Sequence, residues 1–276
     1  MNALTFLLLA YVLHSFAEVL PNFNRCNMFF FEGKVPSGFS SAFCNICQRY
    51  DNIYHFATLY DTDNRIPVYS AYIYKESAAG GRHDDWKIEP QLADQNWPHD
   101  MMKIRDLVEW GNHQMPRVTG IREKVNASQA VNNDYTHQSY DRGHLNPVCH
   151  QCNRSAKDAT FTLTNAAPMN CSLNRGGWRS VESARENMKK DCHNETAYII
   201  TGTSSTVHAL KLHNRVAVPQ YVWSAMCCKA VNGSIISNAA IGDNLQCIVT
   251  NVTVAVCEAR LSQWFNSKIS LFQGLC

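Results

Sequence analysis

Two periodicities run along the chain. The stretches Tyr54–Tyr60 and Arg65–Tyr74 flank the polar turn Asp61-Thr62-Asp63-Asn64, and in the second of them Val68, Ser70, Tyr72 and Tyr74 alternate with Tyr69, Ala71 and Ile73. A period of two with aromatic and β-branched residues predicts a strand hairpin. Thr160–Thr164 alternates in the same way and is expected as a half-buried partner of a strand ending at His144. Further strands are predicted at Thr196–Gly202, Val216–Cys228 and Ile235–Ile241, with Pro219 marking an edge or a bulge. Helical spacing governs Leu173–Lys190, where Trp178, Val181, Ala184, Arg185 and Met188 form an apolar-dominated stripe. Shorter helices are predicted at Met101–Trp110 and around Glu258–Phe265. Glu18–Tyr50 reads as an irregular, disulfide-tied lead-in, and Asp85–Asp100 and Gly111–Tyr140 read as loops. No repeat or Ser/Gly linker divides the chain. A single α+β domain with a central mixed or antiparallel sheet flanked by helices is the expected architecture.

Composition adds a compartment. The 276 residues carry a net charge of only +2, so an anionic partner would have to be drawn by a local basic patch rather than by global charge. The first stretch is apolar from Ala3 to Leu13 and ends in Ser15-Phe16-Ala17, the form of a signal peptide cleaved before Glu18. An uncleaved anchor is the alternative, but the apolar run is shorter than the roughly 20 residues that span a bilayer. All 12 cysteines follow the expected cleavage site, and an even count in an exported chain favours disulfides. Sequons at Asn126, Asn153, Asn170, Asn194, Asn232 and Asn251 fit a secreted glycoprotein.

The chemistry concentrates in Tyr140–Glu182. His144 follows Asp141-Arg142-Gly143; a neutral imidazole is available as a base near pH 7. On an extended segment Arg142 and His144 point the same way, which places a bidentate phosphate donor beside the base. Gly143 between them leaves room for a bulky ligand to approach the backbone, and Asp141 is expected to make a turn or cap hydrogen bond. Asn174, Trp178 and Glu182 recur at i, i+4 and i+8 and so lie along one side of a helix. A divalent ion held by one neutral asparagine keeps most of its water, which suits Mg²⁺ and not zinc. Asn174 could instead be a helix N-cap and Asn165 a turn residue. Cys149, His150 and Cys152 could imitate a zinc site, but a disulfide within that loop is the preferred reading.

These residues carry a resemblance. Asp141-Arg-Gly-His144, Asn165-Ala-Ala-Pro168, Leu173-Asn174-Arg-Gly-Gly-Trp178 and Glu182 resemble the DNA/RNA non-specific endonucleases of the ββα-metal (His-Me finger) fold. Ile46–Tyr50, Phe56–Tyr60 and Ile66–Tyr72 are similar to the endonuclease domain-containing 1 branch of that family. With the signal segment at 1–17 and the Cys-rich lead-in at 18–50, the resemblance implies a nuclease domain at 51–276. It implies His144 as general base, Asn174 as direct ligand of Mg²⁺ or Mn²⁺, and Asn165 and Glu182 as organisers of the site. Arg142 would contact phosphate, and Arg82, ahead of Trp86-Lys87 and Pro90, would stabilise transition-state charge. DNA and RNA would both be substrates, with Arg142, Arg154, Arg175 and Arg179 on phosphates. Met169, where relatives often carry glutamine, and the Cys149–Cys152 insertion depart from the pattern. A glycan at Asn170 would crowd the site, so this sequon is expected to be unoccupied or turned away. The competing expectation is a secreted nucleic-acid-binding glycoprotein that keeps the fold without turnover.

Overall fold

The computed structural model describes residues 18–75, 81, 83–206 and 209–276. The expected signal segment and Arg82 lie outside them. In chain order, β1 (Val19–Leu20) is followed by β2 (Cys44–Tyr50), β3 (Ile53–Asp61) and β4 (Ile66–Tyr74). Then come α1 (Pro90–Ala93), α2 (Ile104–Asn112), α3 (Ile121–Ser128), β5 (Tyr140–His144), α4 (Arg154–Ala159) and β6 (Ala166–Asn170). A helical run follows, made of α5 (Cys171–Leu173), a π turn (Asn174–Trp178) and α6 (Arg179–Lys189). The chain ends with β7 (Ala197–Thr203), β8 (Lys211–Leu212), β9 (Val216–Ala217), β10 (Tyr221–Lys229), β11 (Ile235–Asp243), β12 (Ile248–Val252) and α7 (Val254–Trp264).

Eight strands form one sheet in the order β1-β2-β3-β4-β7-β10-β11-β12, and every neighbouring pair is antiparallel. The central strands are buried on both sides, so their alternation separates two cores rather than core from solvent. Tyr69, Ala71, Trp223 and Ala225 face one layer, with Phe23, Phe30 and Leu261 of α7. Tyr72, Tyr74, Ile199 and Met226 face the other, with Phe56 and Met101. Val222 and Ala240 continue that second face under Trp178 and Val181 of the helical run.

Across the middle of the second face runs a polar row. Thr58 pairs in register with Ser70, Ser70 with Thr201 and Thr201 with Ser224. Hydroxyls bond at 3.0 Å between Thr58 and Ser70 and at 3.0 Å between Thr201 and Ser224. All four side chains are buried.

Several expectations change. The lead-in is not wholly irregular, because Cys44–Tyr50 is a full strand of the sheet, and Cys26 bonds to Cys47. Gly111–Tyr140 is not all loop: Ile121 and Val125, one turn apart, bury the inner face of α3. Pro219 splits the predicted Val216–Cys228 strand into β9 and β10. The edge strand β12 had no clear alternation to announce it. Among the described residues no helix is long and apolar enough to cross a membrane.

Disulfides also join Cys192 to Cys228 and Cys227 to Cys276, one from each face of β10. The Cys192–Cys228 bond closes 36 residues, a loop whose closure entropy corresponds to roughly 3–4 kcal/mol. Replacing both cysteines with alanine should lower the unfolding free energy by about that amount in urea titrations, with little change in the far-UV circular dichroism of the folded protein.

Candidate active site

Two short strands and a helix build the site. β5 pairs antiparallel with β6, placing Arg142 opposite Pro168, Gly143 opposite Ala167 and His144 opposite Ala166. The expected partner of β5, Thr160–Thr164, does not form that strand. It is buried throughout, touches Lys87 through one bridge at Thr162, and closes into a 3-10 turn at Leu163–Asn165. Its threonines alternate because each buried hydroxyl needs a partner: Thr160 donates to the Lys157 carbonyl, and Thr164 is bonded by Thr162 and by Gln48.

Gly143 serves packing rather than ligand access. A Cβ there would lie 2.7 Å from Met169 and 3.2 Å from the Ala167 carbonyl, so Met169 occupies the room that a side chain would need. Asn165 is fully buried and uses its whole amide. Its oxygen accepts from Ser70 Oγ and from the Asn146 amide, each at 2.9 Å. Its nitrogen donates to the Asn146 and Thr160 carbonyls, both at 3.0 Å. The turn after His144 is thereby fastened to the sheet at Ser70.

The helix start is fastened by Asp141. Its carboxylate accepts from Asn174 Nδ2 at 2.9 Å and from Arg175 at 2.6 and 2.8 Å, and Cys171 Sγ lies at 3.2 Å. This is a clamp between elements, not the turn or cap bond expected. Burial pushes the Asp141 pKa up, but the bonds from Arg175, Asn174 and Cys171 outweigh it and hold the group below the usual carboxylate range. A carboxylate that only accepts requires the Asn174 nitrogen to face it, which turns Oδ1 away as the available oxygen. The N-cap role considered for Asn174 falls to Asn170, whose Oδ1 accepts from the Ser172 amide at 2.9 Å.

The π turn then changes the helical phase. Trp178 is buried in the core, while Asn174, Arg175, Arg179, Glu182 and Ser183 border one cleft. The expected i, i+4, i+8 row therefore loses its middle member. Ala184 is exposed rather than part of the packed stripe, which passes through Val181 and Arg185. Gly177 sits under the edge strand: a Cβ would lie 2.9 Å from Val249 Cγ2, whereas Gly176 faces open space.

The cleft encloses about 540 Å³, and His144, Pro147, Val148, Cys149 and Phe161 form its opposite wall. The His144 ring packs against Trp86 at 5.0 Å and edge-on to Phe161 at 4.8 Å. Arg142 lies over Trp86 at 5.3 Å and Tyr135 at 5.7 Å, so Trp86 touches both residues of the motif. Arg154 is placed apart from this cleft lining, against His83 and Asp158. Burial pushes the Glu182 carboxyl up to about 8, against a smaller opposing pull from Arg179.

His150 supports the site in a way that its neighbours in sequence do not announce. It is 2% exposed, receives the Tyr72 hydroxyl at Nδ1 (3.1 Å) and donates Nε2–H to the Glu182 carbonyl at 3.0 Å. Burial lowers its pKa to about 4. The nearby cysteines do not form the expected disulfide: Cys149 and Cys152 are not bonded to one another. Among the described residues no three His, Cys, Asp or Glu side chains converge as a metal cage. The donors on the helix side of the cleft, the Asn174 amide oxygen and the Glu182 carboxyl, are hard oxygens of the kind that a largely hydrated divalent ion takes.

A family model described as DNA/RNA non-specific endonuclease matches residues 118–273. The human endonuclease domain-containing 1 protein is 35% identical over 214 residues, 76% of this chain and 40% of that protein. The mouse protein of the same name is 31% identical over 75% of this chain and 39% of its own length. The chain thus spans about two-fifths of the length of these curated relatives. Human mitochondrial endonuclease G is 29% identical over 119 residues, 39% of each chain. A crystal structure of an EndoG/EndoGI complex superposes with a TM-score of 0.52 at 19% identity, over 78% of this chain and 83% of that one.

Two outcomes test this geometry. Gly176→Ala should be neutral or stabilising, since alanine is the better helix former by about 1 kcal/mol. Gly177→Ala should destabilise by about 1–2 kcal/mol in urea unfolding, because Val249 must move. His150 in the unfolded chain takes up a proton near pH 6.5 but in the fold only near 4. Its contribution, up to about 3 kcal/mol, is present above pH 6.5 and lost as pH falls toward 4. His150→Gln should therefore be less stable at pH 7 and show a shallower loss between pH 6.5 and 4 in unfolding curves measured across that range.

Proposed function

From the premise that the chain belongs to the DNA/RNA non-specific endonuclease family, we propose that it is a metal-dependent endonuclease cleaving both DNA and RNA with little sequence preference. The observation that carries the reading is the convergence of His144, Asn174 and Glu182 on one cleft, with the Asn174 amide turned by Asp141 so that its oxygen is available. Asn174 and Glu182 would hold the cation, Mg²⁺ or Mn²⁺. When bound, that ion supplies positive charge for the phosphate oxygens and for the departing 3′ oxygen.

The chain's own groups perform the remainder. His144 takes the proton of the attacking water, and Trp86 and Phe161 fix the plane of its ring. Asn165 holds the backbone on the far side of His144 and so acts as a positioning residue. Glu182 is largely protonated at neutral pH, and a nearby cation favours its carboxylate. Arg179 borders the cleft and, with Arg142 and Arg175, would meet phosphates along the backbone, which gives affinity without base readout. Arg82 is proposed for the transition-state charge on the resemblance alone. Three disulfides support an oxidising, secreted setting.

Purified protein with Mg²⁺ should nick plasmid and degrade RNA, and EDTA should abolish both activities. His144→Ala should lose at least about 100-fold in rate, the scale of a general base, and Asn174→Ala should lose both rate and apparent affinity for the cation. Full activity in either variant rejects the assignment. Salt-sensitive binding of both polymers without cleavage would favour the non-catalytic reading instead.

A further inference from the structure

The sheet begins at a buried, acid-rich niche that no role in the cleft explains. Glu18 is 0% exposed; its backbone N–H donates to Gln91 Oε1, and its carbonyl accepts from the Cys47 amide at 3.0 Å. The Glu18 carboxylate has Arg49 at 3.4 Å, and the same arginine lies 3.3 Å from Asp100. Glu89, two positions before Gln91, is 1% exposed and, among the described residues, has no ion-pair partner; Thr162 Oγ1 approaches it at 3.5 Å. Burial and the neighbouring charges of Glu18 and Asp100 push the Glu89 carboxyl well above its ordinary range. Arg49 and Arg25 act on Glu18 and Lys87 acts on Glu89, yet among the described residues the ion pairs of the niche reach only Glu18 and Asp100. A buried carboxyl without a cation is costly unless something neutralises it.

The sequence supplies a candidate at the right atom. The expected cleavage falls between Ala17 and Glu18, and the chain is tied into the sheet from that position onward, Val19 pairing with Ile46. Hydrolysis of the Ala17–Glu18 bond by a signal-peptidase-class enzyme adds water across it. Ala17 leaves as a carboxylate, and Glu18 keeps an amine that takes up a proton at neutral pH. The new charge forms on the nitrogen that faces Gln91, inside the niche.

We propose that the α-ammonium of Glu18, released by cleavage after Ala17, is the additional cation of the Glu18–Glu89–Asp100 niche, and that its capture against Gln91 locks the mature N-terminus. An ammonium has three donors, one for Gln91 Oε1 and two more for the surrounding acids, which a peptide N–H does not have. Its charge offsets the desolvation of Glu89 without a further side chain. Maturation would then be part of folding stability and not only an address label. The proposal stands independently of catalysis.

The test compares the chain beginning at Glu18 with a free amine, released from a cleavable tag, against the same chain preceded by Gly-Ser. The free-amine form should melt at least about 3 °C higher at pH 7. Its amine should resist reductive dimethylation under conditions that label the exposed lysines. Glu89→Gln, which keeps the shape and hydrogen-bonding capacity, should remove most of the difference between the two forms. N-terminal mass analysis of the protein secreted by a eukaryotic host should find Glu18 first and uncyclised. Equal melting of the two forms, rapid labelling of the amine, an undiminished difference in Glu89→Gln, or a mature terminus that is pyroglutamate or lies elsewhere would each overturn it.

Discussion

Four hydroxyls crossing the middle of the sheet are what the candidate site rests on. Thr58, Ser70, Thr201 and Ser224 occupy a face that elsewhere buries tyrosine, isoleucine and methionine. A polar row in such a place costs desolvation unless every member is bonded. Here the two serines of the row carry the two halves of the site. Ser70 donates to Asn165, which sets the turn after His144. Ser224 accepts from the buried Arg185 through both its carbonyl and its hydroxyl, which seats α6 on the sheet. The hairpin and the helix therefore share one rigid base, although neither strand of the hairpin belongs to the large sheet.

What could be read from the residues alone follows from the range of each interaction. The strands β3, β4, β7 and β11 and the helix after Leu173 announce themselves through local periodicity. His144, Arg142 and Asn174 stand out because their chemistry is visible in residue type, and their motif spacing is local. Asp141 is adjacent to these residues, yet its partners lie 33 and 34 positions downstream, so only the folded hairpin-to-helix junction shows it as a clamp. His150 is harder still. Beside two cysteines it looks like a ligand, and its actual partners, Tyr72 and Glu182, are 78 and 32 positions away.

The remaining misreadings share a cause. Period-2 alternation at Thr160–Thr164 was generated by paired hydroxyls inside the protein, not by a surface with one wet side. The room at Gly143 was real, but Met169 of the neighbouring strand fills it. A π turn leaves no periodic signature, so the even spacing of Asn174, Trp178 and Glu182 concealed it. In each instance local pattern identified an unusual position correctly and assigned it the wrong neighbour.

The contact between Val249 and Gly177 joins the outermost strand of the sheet to the turn that carries Asn174. Edge strands have hydrogen bonds on one side only, and they open first when a sheet breathes. Fraying of β12 would withdraw the support beneath the π turn while the core strands stay closed. Exchange of the β12 amides would then report the same opening that loosens the π turn, leaving the Asp141 clamp as the remaining hold on Asn174.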